Sequence, residues 1–304
     1  MRIALTGVSG FIGSEVARRL HAQGHQVTGL VRATSRRDHI EPFVDRFVEG
    51  DHADAGAWPE LLRDADCVIH NSVDWKPIAD DNQPAHVASN VAAAINFLRA
   101  SAPRRFVFIS SVGVYHDMRP RWEGRIDEDH PLIPWSDYGA AKAAVEAFLW
   151  HEHFDRGRET CALRPTAVYG MDPRLDRTLG YRLLKAIRAG KTPNRKIAGR
   201  FLHGKFVHVD EVADTIVAAS TTDRSSGQSY NLVDCYARWS DWATIACEEL
   251  GVSAAEIDMS DPPQPKNQFV CDKAAADLGV TFTRGHEGIR AHLREVIRAI
   301  EAEG

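Results

Sequence analysis

A tyrosine and a lysine four residues apart are the clearest candidates for moving a proton. Tyr138 and Lys142 belong to the run Asp-Tyr-Gly-Ala-Ala-Lys. On a helix, residues i and i+4 share a face, so the phenol and the ammonium can point into one cleft. A nearby cation favours the phenolate, and we expect it to lower the pKa of Tyr138 from its reference of about 10. The pair therefore predicts a proton donor and acceptor that works near neutral pH, as a redox enzyme requires.

A glycine-rich turn near the start of the chain has the features of a dinucleotide site. The segment Thr-Gly-Val-Ser-Gly-Phe-Ile-Gly at 6–13 follows a short apolar strand and opens a helix that ends near Gly24. A helix N-terminus and glycines that allow close backbone approach both suit a pyrophosphate. A tight turn without a ligand is the alternative. We expect the cofactor to contact this turn at Gly7, Ser9, Gly10, Phe11, Ile12 and Gly13.

The end of the second strand bears on the choice of cofactor. An NAD site usually has an acidic residue about 20 residues beyond the glycines, where it binds both ribose hydroxyls. Here the strand at 26–31 is followed by Arg32, and Arg36 and Arg37 come next. Guanidinium groups bind a 2′-phosphate, so the sequence favours NADP(H) and leaves NAD(H) open. An arginine that merely extends from a strand end into solvent is the alternative.

Strand-like and helix-like segments alternate through the first two thirds of the chain, which is typical of a parallel sheet. The predicted strands are 2–6, 26–31, 67–71, 105–110, 160–164 and 206–209. The predicted helices are 11–22, 57–63, 85–100, 137–155, 178–189, 210–220, 240–250, 272–278 and 286–302. With the glycine turn, this pattern predicts an α/β fold: a doubly wound parallel Rossmann-type sheet with a smaller, mainly helical C-terminal substrate lobe. We expect a dinucleotide-binding domain at 1–170, whose sheet 206–220 rejoins, and a substrate lobe at 171–304.

Composition indicates an ordinary globular protein. The 304 residues are 44% apolar, with a net charge of -5 and a pI near 6.3, so the chain has no global attraction to nucleic acid or to an anionic membrane. The chain opens directly into an apolar strand, and no uncharged stretch reaches the ~18 residues of a membrane span. The five cysteines form no C-x-x-C pair. We therefore expect a cytoplasmic protein whose partner is a small-molecule substrate.

Further motifs follow the glycine turn in a definite order. They are Gly50-Asp51, Val68-Ile69-His70, Asn90-Val91, the segment Ile-Ser-Ser-Val-Gly-Val-Tyr at 109–115, Tyr138 with Lys142, Leu-Arg-Pro-Thr-Ala-Val-Tyr-Gly at 163–170, and Phe-Val-His-Val-Asp-Glu-Val-Ala at 206–213. Each motif is weak by itself, but their order and spacing are informative together. Over nearly its whole length the chain resembles the extended short-chain dehydrogenase/reductases, also called the NAD-dependent epimerase/dehydratase family.

The resemblance implies a role for each matching residue. Ser111 would donate to the substrate oxygen, Tyr138 would pass the proton, and Lys142 would bind the nicotinamide ribose and depress the pKa of the tyrosine. The hydride comes from the cofactor. Further cofactor contacts are implied near the adenine at Asp51 and His52, near the ribose at Asn71 and Ser72, and near the nicotinamide from Pro165 to Val168.

Three functions remain open. The first is an NADP(H)-dependent reductase or dehydrogenase acting on a carbonyl or secondary alcohol of a polar small molecule. The second is a sugar or nucleotide-sugar epimerase or dehydratase that retains its cofactor, and the third is a non-catalytic NADP-binding regulator. The intact set of Ser111, Tyr138 and Lys142 disfavours the third. Gly204-Lys205 stands where many nucleotide-sugar members carry an arginine and an aspartate, which favours the first function over the second.

Two further expectations concern metals and assembly. The run His151-Glu152-His153 does not predict a metal site, because residues two apart on a helix face different ways. The resemblance implies a homodimer that pairs through the long helices at 85–100 and 137–155. The second of these is rich in alanine with bulky apolar residues around it, which is more apolar surface than one buried face requires.

Overall fold

The computed structural model of the chain describes residues 1–115, 124–262 and 267–303. In chain order, the strands in these ranges are β1 (Arg2–Thr6), β2 (Gln26–Val31), β3 (Arg46–Glu49), β4 (Cys67–His70), β5 (Arg105–Ile109), β6 (Arg125–Ile126), β7 (Thr160–Pro165), β8 (Ala167–Tyr169), β9 (Gly204–His208), β10 (Gln228–Leu232), β11 (Cys235–Ala237) and β12 (Gln268–Phe269). The α-helices are α1 (Phe11–Ala22), α2 (Trp58–Leu62), α3 (Trp75–Ala79), α4 (Gln83–Val87), α5 (Ala93–Ala100), α6 (Asp137–Arg156), α7 (Tyr181–Arg188), α8 (Arg195–Ala198), α9 (Val209–Thr221), α10 (Trp239–Leu250), α11 (Asp272–Leu278) and α12 (Gly285–Glu303).

The central layer is a seven-stranded sheet in the order β10-β7-β5-β4-β1-β2-β3, in which every pair is parallel. Its inner strands are buried on both faces, which is why β4 and β5 read as unbroken apolar runs. One face packs against α1 and α9, and the other packs against α5 and α6. The expected α/β fold with a doubly wound parallel Rossmann-type sheet is confirmed.

One predicted strand lies outside the central sheet. The predicted strand at 206–209 corresponds to β9, which lies in a separate three-stranded sheet between β8 and β11. The place beside β7 is taken by β10 instead. Its Asn231 is fully buried and accepts a hydrogen bond from the Tyr115 hydroxyl at 3.1 Å. The polar residues of β10 thus have hydrogen-bond partners inside the core. Because these residues interrupt the apolar pattern, the sequence did not predict this strand.

Helix α9 follows β9 and returns to the central layer. Its Val212 and Ile216 belong to the same apolar core as the sheet. Arg19 of α1 forms ion pairs with Asp210 at 3.1 Å and Asp214 at 2.6 Å, both on α9. The segment 206–220 therefore contacts the central sheet through its helix, while its strand belongs to the second sheet. The division into domains at residue 170 stays a prediction.

A second apolar core lies in the C-terminal part of the chain. It is formed by residues of β8, β9, α7, α10 and α12 around the fully buried Trp242. Leu184 and Leu293 pack against it from α7 and α12. Among the helices that the structure describes, none has both the length and the apolar run that a membrane span needs.

The predicted helix at 85–100 is interrupted. Helix α4 leads into a π-helical segment, Ala88–Ala92, before α5 begins. Such wide turns often accompany functional sites because they move a side chain off the regular helical spacing. Here the segment carries Asn90, whose contacts matter for the site.

Candidate active site

A cleft of about 490 Å³ opens at the carboxyl ends of the parallel strands, the usual place for a ligand in such a sheet. It contains nearly all of the residues that the sequence proposed. Those that line it are Gly7, Ser9, Gly10, Phe11, Ile12, Arg32, Asp51, His52, Asn71, Ser72, Ser111, Tyr138, Lys142, Pro165 and Val168. The cleft thus brings together the glycine turn and the proton-transfer candidates, which are more than a hundred residues apart in sequence.

Gly13 is the predicted cofactor residue that does not line the cleft. A Cβ atom on Gly13 would lie 2.0 Å from the backbone oxygen of Gly7, so the start of α1 packs against the preceding turn only because this residue is glycine. Gly7 has a φ of 71°, and the N–H of Gly10 donates to its oxygen at 3.0 Å. The N-cap of α1 is Gly10, which has no side chain to cover the first N–H groups. This cradle fits a pyrophosphate.

The three arginines after β2 differ in their availability. Arg36 pairs with Asp38 and Arg37 pairs with Glu49, each at 2.9 Å. Arg32 lines the cleft, and in the ranges that the structure describes no carboxylate forms such an ion pair with it. Its backbone N–H donates to the hydroxyl of Ser35 at 3.1 Å, and Ser35 also lines the cleft. Arg32 with Ser35 is therefore the group suited to a phosphate.

The loop after β4 is fixed by Thr6 at the end of β1. Its buried hydroxyl accepts hydrogen bonds from the N–H groups of Asn71 at 3.1 Å and Ser72 at 3.2 Å. The same hydroxyl contacts Nδ1 of His70 at 2.9 Å, and burial holds the pKa of His70 well below its usual value. His52 contacts the backbone oxygen of Ser89 through Nε2 at 3.1 Å. The cleft wall is thus held by buried hydrogen bonds.

The proton-transfer candidates converge at the end of β5. Tyr138 and Lys142 lie on the first turns of α6, which Ser136 caps by accepting from the N–H of Gly139 at 3.2 Å. Lys142 is buried, and its Nζ donates to the backbone oxygen of Ile109 at 2.6 Å and lies 4.5 Å from the ring centre of Phe108. These contacts place the ammonium next to Ser110 and Ser111.

The protonation states differ from the expectation that Lys142 lowers the pKa of Tyr138. Burial raises the pKa of Tyr138 to about 12, and a hydrogen bond with Ser111 offsets only part of that effect. Burial also lowers the pKa of Lys142 to about 7, although the carboxylate of Glu146 opposes the change. Desolvation disfavours the charged form of both groups, so it outweighs the attraction between them. At neutral pH the phenol of Tyr138 therefore keeps its proton.

A buried ion pair lies one turn beyond Lys142. Arg164 of β7 binds the carboxylate of Glu146 with Nη2 at 2.6 Å and with Nε at 3.1 Å. Ser110 donates to the same carboxylate, and Arg164 also donates to the Tyr115 hydroxyl. The network joins α6, which carries Lys142, to the carboxyl end of β7 and to the segment after β5, which carries Ser111.

Residues outside the predicted catalytic and cofactor set also line the cleft. Trp75 of α3 stacks on the ring of Tyr138, with the ring centres 5.1 Å apart and the planes 20° from parallel. Asp172 and Arg177 also line the cleft. No sequence motif pointed to Asp172 or Arg177. For Trp75 the signal was a large aromatic residue in the segment that follows β4, a strand whose end forms the cleft. No group of three or more His, Cys, Asp or Glu residues that could hold a metal ion occurs in the described parts of the chain.

The comparisons with known proteins agree on one family. The family model described as "NAD dependent epimerase/dehydratase family" matches residues 3–232. A UDP-glucose 4-epimerase of Mycolicibacterium smegmatis is 31% identical over 76% of this chain and 77% of its own. A dTDP-glucose 4,6-dehydratase of Streptomyces niveus is also 31% identical, and the match covers 56% of this chain and 54% of that enzyme, about half its length.

A reductase and a solved structure match over more of the chain. A 4-hydroxy-2-methyl-3-oxo-4-farnesyl-3,4-dihydroquinoline-1-oxide ketoreductase of Stigmatella aurantiaca is 27% identical over 93% of this chain and 81% of its own. The crystal structure of a UDP-glucose 4-epimerase from Thermotoga maritima with UDP-glucose superposes with a TM-score of 0.80 at 19% identity, covering 99% of both chains. At that identity the likeness concerns the fold.

Proposed function

The chain belongs to the NAD-dependent epimerase/dehydratase family, and from this premise we propose that it uses NADP(H) to reduce a carbonyl group of a small molecule, or to oxidise the corresponding secondary alcohol. Members of the family are nicotinamide-dependent epimerases, dehydratases and reductases, and the chain is an enzyme of this extended short-chain type. The observation that carries the proposal is the convergence of Ser111, Tyr138 and Lys142 in the cleft that begins at the glycine turn.

The cleft residues fit a phosphorylated dinucleotide. The first N–H groups of α1 would hold the pyrophosphate, because Gly7 and Gly13 let the backbone approach closely. Arg32 and Ser35 would bind the 2′-phosphate, since Arg36 and Arg37 are already paired with carboxylates. When bound, the nicotinamide supplies or accepts the hydride. NAD(H) remains the alternative cofactor, because structural neighbours have NAD bound.

The chain's own groups manage the proton and the substrate oxygen. Ser111 would donate a hydrogen bond to the carbonyl oxygen, and Tyr138 would transfer its phenolic proton to that oxygen as negative charge develops there. Burial keeps the phenol of Tyr138 protonated at neutral pH, so the proton to be donated is present. Lys142 would bind the nicotinamide ribose and supply positive charge below the tyrosine ring, which lies 5.7 Å from its Nζ.

A sugar epimerase or dehydratase is the second candidate function. It is favoured by the two relatives at 31% identity, which are named as a sugar-nucleotide epimerase and a dehydratase. Against it, Lys205 lies outside the cleft lining and over the ring of Phe269 at 5.5 Å, and burial lowers its pKa. It is thus poorly placed to bind the diphosphate that the missing arginine would bind. A non-catalytic regulator would not need the Ser111, Tyr138 and Lys142 set.

One assay separates the two enzymatic functions. The purified protein is incubated with NADPH and a panel of aldehydes, ketones and nucleotide sugars, and the nicotinamide absorbance is followed. We expect net oxidation of NADPH with a carbonyl substrate. Product formed from a nucleotide sugar without net oxidation would instead establish the epimerase or dehydratase. Absence of turnover with every compound, in the presence of tight NADPH binding, would contradict the proposal.

We also propose a cellular compartment and an oligomeric state for the enzyme. We place it in the cytoplasm, and the five free cysteines, four of them buried, suit a reducing compartment. We also infer a homodimer that pairs through the predicted helices 85–100 and 137–155, the second of which corresponds to α6. This is supported by Phe154, which is 78% exposed on α6 and stacks on Trp150 with ring centres 6.2 Å apart. An apolar aromatic pair of this size on a helix surface is more stable when a partner covers it.

A further inference from the structure

Trp75 is a large aromatic side chain that lines the cleft and is also exposed. One face of its indole stacks on Tyr138, and 58% of the residue remains accessible. It lies on the first turn of α3, beside Val73 and Asp74, which also line the cleft. A broad apolar surface is therefore held next to the side chain that donates the proton.

The position of Trp75 is fixed by its neighbours. Asp74 caps α3 by accepting from the N–H of Lys76 at 3.2 Å. Asn90 binds the backbone of Asp74 twice, with the N–H of Asp74 donating at 2.8 Å and the Asn90 amide donating to its carbonyl at 2.9 Å. The π-helical segment presents Asn90 to this loop. Trp75 is thus held from its backbone and from its ring, and it does not depend on a ligand for its orientation.

The same hydrogen-bond chain reaches the start of α6. The Asn90 amide contacts Nδ1 of His86 at 2.9 Å, and Nε2 of His86 contacts the backbone oxygen of Asp137 at 3.2 Å. Asp137 precedes Tyr138, so the two stacked rings are held by one connected set of residues. Such an arrangement is preorganised, and little conformational entropy would be lost when a ligand covers the indole.

The chemistry of the exposed indole points to the kind of group that would cover it. Burying apolar surface is favourable, and stacked aromatic pairs gain further free energy beyond that burial. An open-chain polar substrate would leave the indole exposed. A planar ring next to the reacting carbonyl would cover it and would also be held in register with Tyr138.

We propose that Trp75 selects carbonyl substrates that carry a planar apolar ring, which packs on the exposed surface of its indole while the carbonyl group contacts Tyr138 and Ser111. This inference rests on the proposed reductase function and refines the substrate class of the same cleft. Trp75 is a specificity residue here, and it contributes to KM rather than to the proton transfer itself.

Binding tests the inference independently of turnover. Acetophenone, cyclohexyl methyl ketone and hexyl methyl ketone have the same reacting group and the same number of carbon atoms, but they carry a planar ring, a saturated ring and an open chain. Their dissociation constants are measured by ligand-observed NMR with NADP⁺ present. We expect acetophenone to bind tightest, Trp75→Ala to weaken it about tenfold, which corresponds to about 1.4 kcal/mol, and Trp75→Phe to retain most of the affinity. Trp135→Ala is the matched control, because Trp135 is 72% exposed and does not line the cleft.

Several outcomes would overturn the inference. Equal affinities of wild type and Trp75→Ala for all three ketones would do so, as would failure of the wild type to bind acetophenone. A large loss of NADP⁺ affinity in Trp75→Ala would make Trp75 a cofactor contact instead. Dependence of UDP-glucose binding on Trp75, without such dependence for acetophenone, would assign the indole to a sugar ring.

Steady-state kinetics separate this inference from the proposed function. We expect Trp75→Ala to raise KM for acetophenone about tenfold with a smaller change in kcat. Binding of acetophenone through Trp75 without any oxidation of NADPH by ketones would refute the reductase function and leave the inference standing. Reduction of acetophenone with unchanged KM in Trp75→Ala would refute the inference and leave the reductase function standing.

Discussion

Lys142 donates from Nζ to the backbone oxygen of Ile109 at 2.6 Å, so the ammonium is bound to the strand end that leads into Ser110 and Ser111. The position is buried, and Lys142 therefore has its charge where water cannot solvate it. The bond holds the side chain below Tyr138 at the expense of folding stability. The folding stability should therefore depend on pH, in a direction set by the lowered pKa of Lys142.

Lys142→Met should change how stability depends on pH. Burial lowers the pKa of Lys142 to about 7 in the folded chain, while the ordinary value is 10.5. Between these values the unfolded chain binds a proton that the folded chain does not, so the free energy of unfolding of the wild type rises with pH by up to about 1.4 kcal/mol per pH unit. The variant lacks this term, so its advantage over the wild type should shrink from pH 7 to pH 10.

Urea denaturation at several pH values measures this difference. Lys76→Met is the control, because Lys76 is an exposed lysine on α3. Parallel stability curves for wild type and Lys142→Met across the range would mean that Lys142 keeps an ordinary pKa in the folded chain.

Tyr138→Phe should abolish most of the turnover and leave the cofactor site intact. The phenol is the proposed proton donor, and general acid groups contribute about 10² to 10⁴ in rate. We expect kcat to fall within that range, with the dissociation constant of NADPH changed little. Tyr181→Phe is a suitable control, since Tyr181 does not line the cleft. Near-full turnover of Tyr138→Phe would remove Tyr138 from the mechanism.

Arg32→Asp should exchange cofactor preference. The aspartate would repel a 2′-phosphate and accept hydrogen bonds from ribose hydroxyls. A hydrogen bond to a charged group contributes about 1.5–3 kcal/mol, so we expect NADPH to bind about 10-fold to 100-fold more weakly and NADH to bind more tightly. The control is Arg36→Asp, because Arg36 already pairs with Asp38. Equal affinity of the wild type for NADPH and NADH would count against the assignment.

Glu146→Gln should destabilise the fold strongly. It would leave the buried guanidinium of Arg164 without its carboxylate, and breaking a buried pair in this way costs about 3–5 kcal/mol. The double variant with Arg164→Met should be less destabilised than the sum of the two single variants. Asp38→Asn, which breaks the exposed pair with Arg36, should leave stability nearly unchanged, because water screens an exposed ion pair.

The denaturant midpoints of the two single variants, the double variant and Asp38→Asn test this prediction. Strict additivity of Glu146→Gln and Arg164→Met would mean that the two side chains contribute separately, and the link from α6 to β7 would have no energetic basis.

Phe154→Glu should weaken the proposed dimer. A charge at this exposed position of α6 would have to lose its hydration on pairing. We expect light scattering at micromolar concentration to give the mass of two chains for the wild type and of one chain for the variant. Phe201→Glu, at an exposed phenylalanine outside α6, should remain dimeric. A wild-type mass of one chain at every concentration would show that the apolar face of α6 needs no partner.

The sequence predicted the elements whose physical signal is local. The glycine turn at 6–13 was recognisable because Gly7 and Gly13 are required by backbone geometry within the turn itself. The pairing of Tyr138 with Lys142 followed from helical spacing alone. Both lie in the cleft, and the resemblance to the family added Ser111.

Non-local effects were not predictable in the same way. The pKa of Tyr138 depends on how much water the folded chain removes from the phenol, and Trp75, distant in sequence, covers one face of that ring. Strand β10 was missed because Asn231 is polar, and its hydrogen bond with Tyr115 is visible only in three dimensions. Arg177 lines the cleft because of the course that the chain takes after β8. No sequence motif marks its position.

The order in which the sheet is completed has a consequence for synthesis of the protein. Strand β10, which ends at Leu232, covers the outer edge of β7, and helix α9 covers one face of the sheet. A ribosome translates the whole glycine turn and all of α6 before either element exists. During that interval β7 is an unprotected edge strand that can pair with other nascent chains. The seven-stranded sheet can therefore be completed only after residues up to 232 have emerged from the ribosome.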